Sequence, residues 1–333
     1  MILEVIIIKV SNKGETMTKM YKIILASLVA ISMFGATASS AKTLQSVQVM
    51  STKNSDGKVT TKTIEAAFNK VGFTVGANND MNNPFGKRFP KLHYKVYNLA
   101  VFFDKDLTYK LIKKYPNFGA LTPLTMSIWS DKDTMNISTL TLAGMARAGD
   151  IPQDDADLIA YANMISAALK ASMPNGKLKD LTFSVKEPKN SFATSFEAEI
   201  DTEEVSDFEE YKEDFQAEFE GELEPIGFLF PNFLNLVDEI FEDAKDETYD
   251  FYDTYSICKF DVIYPVSKNH PEAGAYAPCS FYMYKRKDEN KMHLGFLGVD
   301  NWITTLDIDE QDSLDPLREA QKMIEDIVNE LTE

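Results

Sequence analysis

The hydrophobic and polar positions of this chain follow two periods along its length. Apolar residues alternate with polar ones over 191–200, which is the pattern of a half-buried strand. Over 154–171 they recur every three or four positions, so that Leu158, Ile165 and Leu169 share one face of a predicted helix. Strand and helix patterns of this kind occur throughout, and they predict an α+β fold with a mostly antiparallel sheet and packed helices.

One stretch of sequence occurs twice. Gly274–Tyr284 has the pattern of a tight turn that leads into a buried strand. Gly119–Trp129 repeats its glycine, alanine, proline and closing aromatic residue, 155 positions earlier. Residues 225–230 match 70–75 at the same offset, and 252–257 match 94–99 at an offset of 158. We therefore predict two repeats of one small mixed α/β unit, each with its own core.

The first 41 residues have the pattern of a signal peptide. A short basic segment precedes the uncharged run 23–34, and small residues follow, with cleavage expected after Ala38 or Ala41. The apolar run is shorter than the roughly 20 residues that span a bilayer, so we expect no stable membrane span after cleavage. Residues 1–16 fit no signal pattern, and we interpret them as an over-called start. The expected location is periplasmic or secreted.

The repeat sets the expected domain boundaries. Residues 42–175 form a first, degenerate α+β repeat, 176–204 form linker strands, and 205–333 form a second α+β repeat. Because a unit of this size leaves faces to be covered, we expect the repeats to pack on each other as an internal pseudo-dimer.

Composition and charge narrow the range of possible functions. The chain of 333 residues has a formal net charge of −18 and 44% hydrophobic residues, which is typical of an acidic globular protein. Such a charge repels phosphates, and this excludes a general role in binding nucleic acid. Basic residues cluster over 87–114 and acidic residues over 201–224. The clusters are interpreted either as solvated surface or as an electrostatic contact between the repeats.

Both cysteines fall in the second repeat. Cys258 ends one predicted strand and Cys279 begins the next, whereas the aligned positions of the first repeat hold Ala100 and Leu124. Since the pair is present or absent together, we expect the two sulfurs to be neighbours. A structural disulfide, two buried free thiols, and a redox-active or ligand-binding pair all fit this pattern. A disulfide that closes a loop of about 20 residues would stabilise the fold by roughly 3 kcal/mol.

The segments around these cysteines resemble a known family. Tyr255–Cys258 and Ala277–Tyr284 are similar to a strand that ends in cysteine and to a Leu-Pro-Cys segment of the domain-of-unknown-function 302 family. The resemblance covers 205–333 clearly and 60–173 more weakly. It implies the fold but no chemistry, because the family has no settled activity. The family's occurrence in exported and in sulfur- or redox-associated bacterial contexts is a hint only.

Other catalytic or metal-binding patterns are absent from the sequence. His270 and His293 share the second repeat with the cysteines, but their spacing matches no zinc pattern, so we interpret them as exposed or half-exposed. The sequence has neither a nucleophile elbow nor a phosphate-binding glycine loop. We therefore expect no metal and no cofactor, and the sequence nominates no catalytic residue.

The predicted function is non-enzymatic. Aromatic residues over 208–241 either fill the core or border an apolar pocket. We expect binding of a small apolar ligand or of a partner protein in the cell envelope. The candidate pocket residues are Tyr255, Pro278, Phe281 and His293. The alternative is a redox or sulfur-handling protein that cycles Cys258 and Cys279 between dithiol and disulfide.

Overall fold

The first half of the chain forms a six-stranded antiparallel sheet. The computed structural model describes residues 45–188, 192–203 and 205–333, so the predicted signal peptide lies outside the described residues. The strands are β1 Val47–Lys53, β2 Thr74–Asp80, β3 Tyr97–Phe103, β4 Leu124–Asp131, β5 Thr134–Leu140 and β6 Lys177–Leu178. Their order in the sheet is β2-β3-β4-β5-β1-β6.

Helices connect and cover these strands. They are α1 Thr61–Val71, α2 Asn82–Arg88, α3 Lys105–Lys114, a 3-10 helix Pro116–Leu121, α4 Leu142–Gly149 and α5 Ala156–Ser172. Local sequence sets their ends. Thr60 caps α1 reciprocally with Thr63, and Gly72 ends it at a positive φ of 120° that favours glycine. Asp155 accepts hydrogen bonds from the first backbone amides of α5.

The second half repeats this arrangement with five strands. They are β7 Ala193–Glu199, β8 Phe228–Asn235, β9 Tyr249–Lys259, β10 Cys279–Arg286 and β11 Lys291–Leu297, in the order β7-β11-β10-β9-β8. The helices are α6 Phe208–Leu223, a π-helix Val237–Phe241, α7 Phe260–Asn269, a 3-10 helix Pro271–Ala275, α8 Asp300–Thr305 and α9 Gln311–Thr332. The prediction of an α+β fold with antiparallel sheets is confirmed.

The segment predicted as linker strands, 176–204, belongs to the two sheets. Lys177–Leu178 pairs with β1, and Ala193–Glu199 pairs with β11. With β7 counted as the first strand of the second half, both halves have the same succession of strands and helices, except that the first half also has β6 at its end. The alternating pattern of β7 predicts a strand but does not predict which strand it pairs with, because its partner β11 is about a hundred positions away.

Each sheet packs its helices against one face. In the first half, the Phe68 ring of α1 meets Phe102 edge to face at 5.0 Å between ring centroids. In the second half, Phe219 of α6 stacks on Phe281 of β10 at 4.7 Å. The aromatic face of α6 is therefore part of the core, which is one of the two interpretations offered for it.

The opposite faces of the sheets are turned toward the other half. Ser280 of β10 donates a hydrogen bond of 2.9 Å to the carbonyl of Pro123, just before β4. Three of the basic residues in the cluster over 87–114 also form ion pairs between the halves. Arg88 pairs with Asp261 and Lys113 with Asp246, each at 2.5 Å, and Lys105 pairs with Glu239 at 3.1 Å. The halves thus contact each other reciprocally, as in a pseudo-dimer, but these acidic partners lie outside the cluster over 201–224. Within the described residues, no helix combines the length and apolar character needed to cross a membrane.

Candidate functional site

A cavity of about 220 Å³ opens between the two halves, and it is partly open to solvent. Its walls are mainly apolar and come from both sheets. The first half contributes Ala77, Leu99 and Val101, and the second contributes Leu229, Cys258 and Pro278. The cavity therefore depends on the way the two halves pack, because neither half encloses it alone.

Strand alternation explains the walls of this cavity. β3 is buried along its whole length, so its residues face either the helices or the other half. Phe102 faces the helices, whereas Leu99 and Val101 face the cavity. The edge strands β2 and β8 both shift register where they border the cavity, between Val75 and Ala77 and between Leu229 and Asn232. Such bulges bend the edge of a sheet and leave space beside it.

The polar groups of the cavity are few. Asp80 is exposed, and its Oδ1 accepts a hydrogen bond of 3.0 Å from the backbone amide of Asn82, at the start of α2. Cys258 is buried, and burial, reinforced by the nearby Cys279, raises the pKa of its thiol to about 12. The thiol is therefore protonated at neutral pH, and a protonated thiol is a poor nucleophile. The cavity offers mainly apolar contact, and Asn79, which lies opposite Leu99 in the pairing of β2 with β3, adds a polar residue to its wall.

The predicted disulfide is not formed, and both cysteines of the chain are free thiols. Cys279 lies directly opposite Ile257 in the pairing of β10 with β9. Cys258 is the next residue of β9, so its side chain points to the other face of the sheet. Cys258 borders the cavity between the halves, whereas Cys279 lies among residues of the helix side such as Trp302. Of the three alternatives that the sequence leaves open, the structure agrees with two free thiols, and the disulfide alternative relied on strand neighbourhood without the register.

The register also corrects the alignment of the repeats. Leu124 faces Phe102 as Cys279 faces Ile257, so the position equivalent to Cys258 is Phe103, at the common offset of 155. The sequence comparison had placed Ala100 there. A three-residue gap in the sequence match, which the strands do not contain, caused this error.

Of the four predicted pocket residues, Pro278 lines the cavity and three do not. Phe281 and Tyr255 are on the helix side, where both rings contact Phe219. His293 lies on β11, with Nε2 3.0 Å from Glu289 Oε1. Sequence reasoning missed the alternating β3 residues and Ala77, whose inward direction depends on the other half of the chain.

The remaining histidines have structural partners. His270 Nε2 lies 3.1 Å from Glu310 Oε2, and Glu310 precedes α9. His93 packs against the Tyr264 ring, with ring centroids 4.4 Å apart. In the part of the chain that the structure describes, no group of three or more His, Cys, Asp and Glu residues is arranged to hold a metal ion.

Comparison with known proteins supports the resemblance seen in the sequence. Residues 48–172 match the family model described as "Domain of unknown function DUF302". Among solved structures, the chain is similar to the uncharacterized conserved protein DUF302 from Bacillus stearothermophilus, with 11% identity and a TM-score of 0.34, over 37% of this chain and 97% of that one. No curated protein matches the chain.

The match falls on the first half, in which the sequence patterns gave the weaker resemblance. The cysteine-containing segments that suggested the family lie in the second half, outside the matched residues. The predicted family is nevertheless confirmed, and residues 48–172 of this chain form a domain of the DUF302 family.

Proposed function

We propose that this protein is exported and binds a small apolar ligand in the cavity between its two halves. The observation that carries the proposal is the apolar wall contributed by both sheets around about 220 Å³ of space. Binding sites for small molecules are typically concave, mostly apolar and supplied with few polar groups. The signal-peptide pattern of residues 1–41 supports export.

The volume favours a small ligand. A dry cavity of about 150 Å³ can bind benzene, and most ligand pockets exceed about 300 Å³. The cavity therefore suits a molecule somewhat larger than benzene, such as a short alkyl chain. Contacts with Leu99 and Val101, which are both almost completely buried, would remove the apolar part of such a ligand from water.

Two observations favour binding over thiol redox chemistry. Cys258 and Cys279 face opposite sides of their sheet, so they cannot cycle between dithiol and disulfide without a rearrangement of the strands. Burial also raises the pKa of the Cys279 thiol to about 12, as it does for Cys258. Neither thiol is therefore activated at neutral pH.

A cavity-filling variant tests the proposal. Ala77 lies half-buried on the edge strand β2, so Ala77→Leu adds volume to the cavity from its rim. The matched control is Ala67→Leu, which makes the same change at a half-buried position of α1. We expect hexanol to bind the wild type and the control saturably in calorimetry, and to bind the Ala77→Leu variant at least tenfold more weakly. Absence of saturable binding to the wild type would refute the proposal.

A partner protein of the cell envelope is the second candidate, and edge strand β8 favours it. Leu229 and Phe233 of this strand are 40% and 45% exposed, which is high for large apolar side chains. The Phe233→Ser variant leaves the cavity walls unchanged. If the wild type can be cross-linked to a partner protein of the cell envelope and the Phe233→Ser variant cannot, while the variant still binds hexanol, the partner surface is assigned to β8.

A further inference from the structure

We propose that His270 is a pH-sensitive latch between the two halves of the chain. When its imidazole ring is protonated, the ring holds the 3-10 helix Pro271–Ala275 in its place on the sheet of the first half. When the ring is neutral, this hold is weaker. The latch acts on the contact between the halves whether or not a ligand occupies the cavity, and it goes beyond the proposed function.

The His270 ring lies between two carboxylates. It is 8% exposed, and its Nε2 lies 3.1 Å from Glu310 Oε2, just before α9. Its Nδ1 lies 3.6 Å from Glu272 Oε1, in the 3-10 helix, and has no hydrogen-bond partner among the described residues. A neutral imidazole carries one N–H, so it donates to one carboxylate and presents a lone pair to the other. Only the protonated ring suits both.

Glu272 makes the neutral state of the ring unfavourable. This acid is 9% exposed, and within the described residues it forms no ion pair except the one with His270. When the ring loses its charge, a buried carboxylate is left without a counter-charge, and this costs free energy. The carboxylate regains water if the 3-10 helix moves away from its place. Deprotonation of the ring therefore favours local opening of this helix.

The 3-10 helix is part of the contact between the halves. The carbonyl of Pro271 accepts a hydrogen bond of 2.6 Å from Ser127 of β4. A Cβ atom on Gly274 would lie 2.7 Å from Leu99 Cδ2, so the helix backbone lies directly on the sheet of the first half. Because Glu272 stands between these two contact points, any movement that exposes it also disturbs the contact.

The first half contains the same tie without a histidine. At the offset of 155 residues, Tyr115 stands at the place of His270, and Asp155 at that of Glu310. The Tyr115 hydroxyl donates to Asp155 Oδ2 at 3.2 Å. Asn117 stands at the place of the buried acid, and its side-chain amide donates to a backbone carbonyl at 2.8 Å. Since tyrosine titrates near pH 10 and asparagine does not titrate, this tie is insensitive to pH near neutrality.

The other charged and titratable groups around the latch are exposed or keep one state near neutral pH. Lys268, Lys91 and Asp312 are exposed, so solvent and salt screen them. Burial lowers the pKa of His93, and the two lysines lower it further against its bond to a backbone carbonyl, so this ring stays neutral. Tyr94 borders the same groove and is also neutral there, as is the buried Tyr97 near the 3-10 helix.

The two carboxylates set the pH range of the latch. Burial lowers the pKa of His270, but Glu272 and Glu310 together outweigh burial and raise the pKa above its usual 6.5. The folded protein therefore keeps a proton on this ring that the unfolded chain has released. The hold is complete below about pH 6.5, and it is lost as the pH rises through the pKa of the folded state.

The protonation of the ring can be measured directly, because the chain has three histidines. NMR titration of the histidine rings in the wild type should give His270 a pKa above 6.5 and His93 a pKa below 6.5. A pKa of His270 at or below 6.5 would overturn the proposal.

Amide hydrogen exchange measures the hold on the 3-10 helix. The Ala273 amide donates to the His270 carbonyl at 3.0 Å, and the equivalent Phe118 amide of the first half donates to the Tyr115 carbonyl at 2.8 Å. After correction for intrinsic exchange, we expect protection of the Ala273 amide to fall by roughly threefold or more from about pH 6.5 to about pH 8.5. Protection of the Phe118 amide should stay constant. Equal changes at both amides would indicate global unfolding and overturn the latch.

Two variants remove the latch in different ways. His270→Tyr gives the second half the residue of the first half, so protection of the Ala273 amide should become the same at both pH values. Glu272→Gln removes the buried charge and keeps the shape of the side chain. It should lower the pKa of His270 and reduce the pH response of the Ala273 amide. The matched control is His293→Gln, because His293 lies on β11 beside Glu289, and this variant should keep the full response.

Every outcome bears on the latch. A raised pKa of His270 without a pH response of the Ala273 amide would show that the ring titrates without holding the helix, and would overturn the proposal. A response that persists in His270→Tyr would belong to another group and would also overturn it. If His270→Tyr does not fold, the wild type and Glu272→Gln still decide. A failure of hexanol to bind would remove the proposed function and leave the latch standing.

Discussion

Ser127 of β4 donates a hydrogen bond of 2.6 Å to the backbone carbonyl of Pro271, and this bond joins the two halves of the chain. The same hydroxyl oxygen lies 2.6 Å from Ser138 Oγ on the adjacent strand. The reciprocal contact is made by the hydroxyl of Tyr252, which donates to the carbonyl of Pro116. The 3-10 helix that follows α3 or α7 is thereby fixed in each half against the sheet of the other.

Removal of the Ser127 hydroxyl should destabilise the packing of the halves. Ser127→Ala leaves the Pro271 carbonyl without this donor in a buried site, which costs about 1–3 kcal/mol in free energy of unfolding. Urea titration measures this loss. Ser166→Ala is the control, because the exposed Ser166 hydroxyl bonds only within α5. A loss below about 0.5 kcal/mol for Ser127→Ala would show that the bond contributes little.

Two glycines allow the same close approach of the halves. A Cβ atom on Gly274 would overlap Ser127 Cβ and lie 2.7 Å from Leu99 Cδ2. A Cβ atom on Gly119 would overlap the Tyr252 hydroxyl and lie 2.7 Å from Tyr282 Cβ. Glycine is therefore required at both positions for lack of space, and the two sites occupy equivalent places in the halves.

We expect Gly274→Ala and Gly119→Ala to lower the free energy of unfolding by about 1–3 kcal/mol, as overpacking does. Gly221→Ala is the control, because its Cβ meets no atom within 4 Å and it lies in α6. That variant should be more stable than the wild type by roughly 0.5–1 kcal/mol, since alanine favours a helix. Similar melting temperatures for all three variants would contradict the close packing inferred here.

Much of this architecture was predictable because the motif Gly-Ala-x-x-Pro carries local backbone information. It marks a turn before β4 and before β10, and its offset of 155 residues also relates the two 3-10 helices. The offset of 158 predicted for the preceding strand was wrong, since Tyr97–Phe103 corresponds to Tyr252–Cys258. Short apolar runs match one another at several shifts, and only strand pairing selects one of them.

The free thiols give a third prediction. Denatured protein, never exposed to reductant, should titrate two thiols per chain, and reductant should leave the melting temperature unchanged. In the native protein both should react slowly, because burial raises the pKa of each thiol and keeps it protonated at neutral pH. Titration of no thiols, with two recovered after reduction, would establish a disulfide and would require a different register for β10.

The cavity could not be predicted from the sequence. Leu99 and Val101 have the sequence pattern of core residues in a buried strand. The neighbouring residues in the sequence do not distinguish a side chain that packs on helices from one that borders a cavity. The bulges in β2 and β8 have no clear signature in their sequences. The cavity arises from contacts between segments more than a hundred positions apart, and each bulge arises in the pairing of its strand with the next strand along the chain. A pattern over a few residues contains neither.

A buried acidic residue on the helix side gives the last prediction. Asp253 of β9 is completely buried, and its Oδ2 accepts from Gln216 Nε2 at 2.8 Å and lies 3.4 Å from Lys212 Nζ. Its Oδ1 has no hydrogen-bond partner within the described residues. Burial raises the pKa of Asp253 from 3.8 to about 6, against the attraction of Lys212. Burial lowers the pKa of Lys212, but its bond to Glu209 and the charge of Asp253 together raise it above its usual value, so it stays protonated.

The folded protein therefore holds a proton on Asp253 that the unfolded chain has already released between about pH 4 and pH 6. Since the folded state binds more protons in this window, stability falls as the pH rises through it. The loss at pH 7, relative to pH 3.5, should reach about 2–3 kcal/mol for this one group.

Asp253→Asn removes the titration and leaves every other ionisable side chain in place. As the pH rises from 4 to 6, the unfolding free energy of the wild type should therefore fall relative to that of the variant. Above pH 6 the difference between the two should stay constant. Parallel stability curves over this range would show that the carboxylate is ionised in the folded protein as readily as in the unfolded chain.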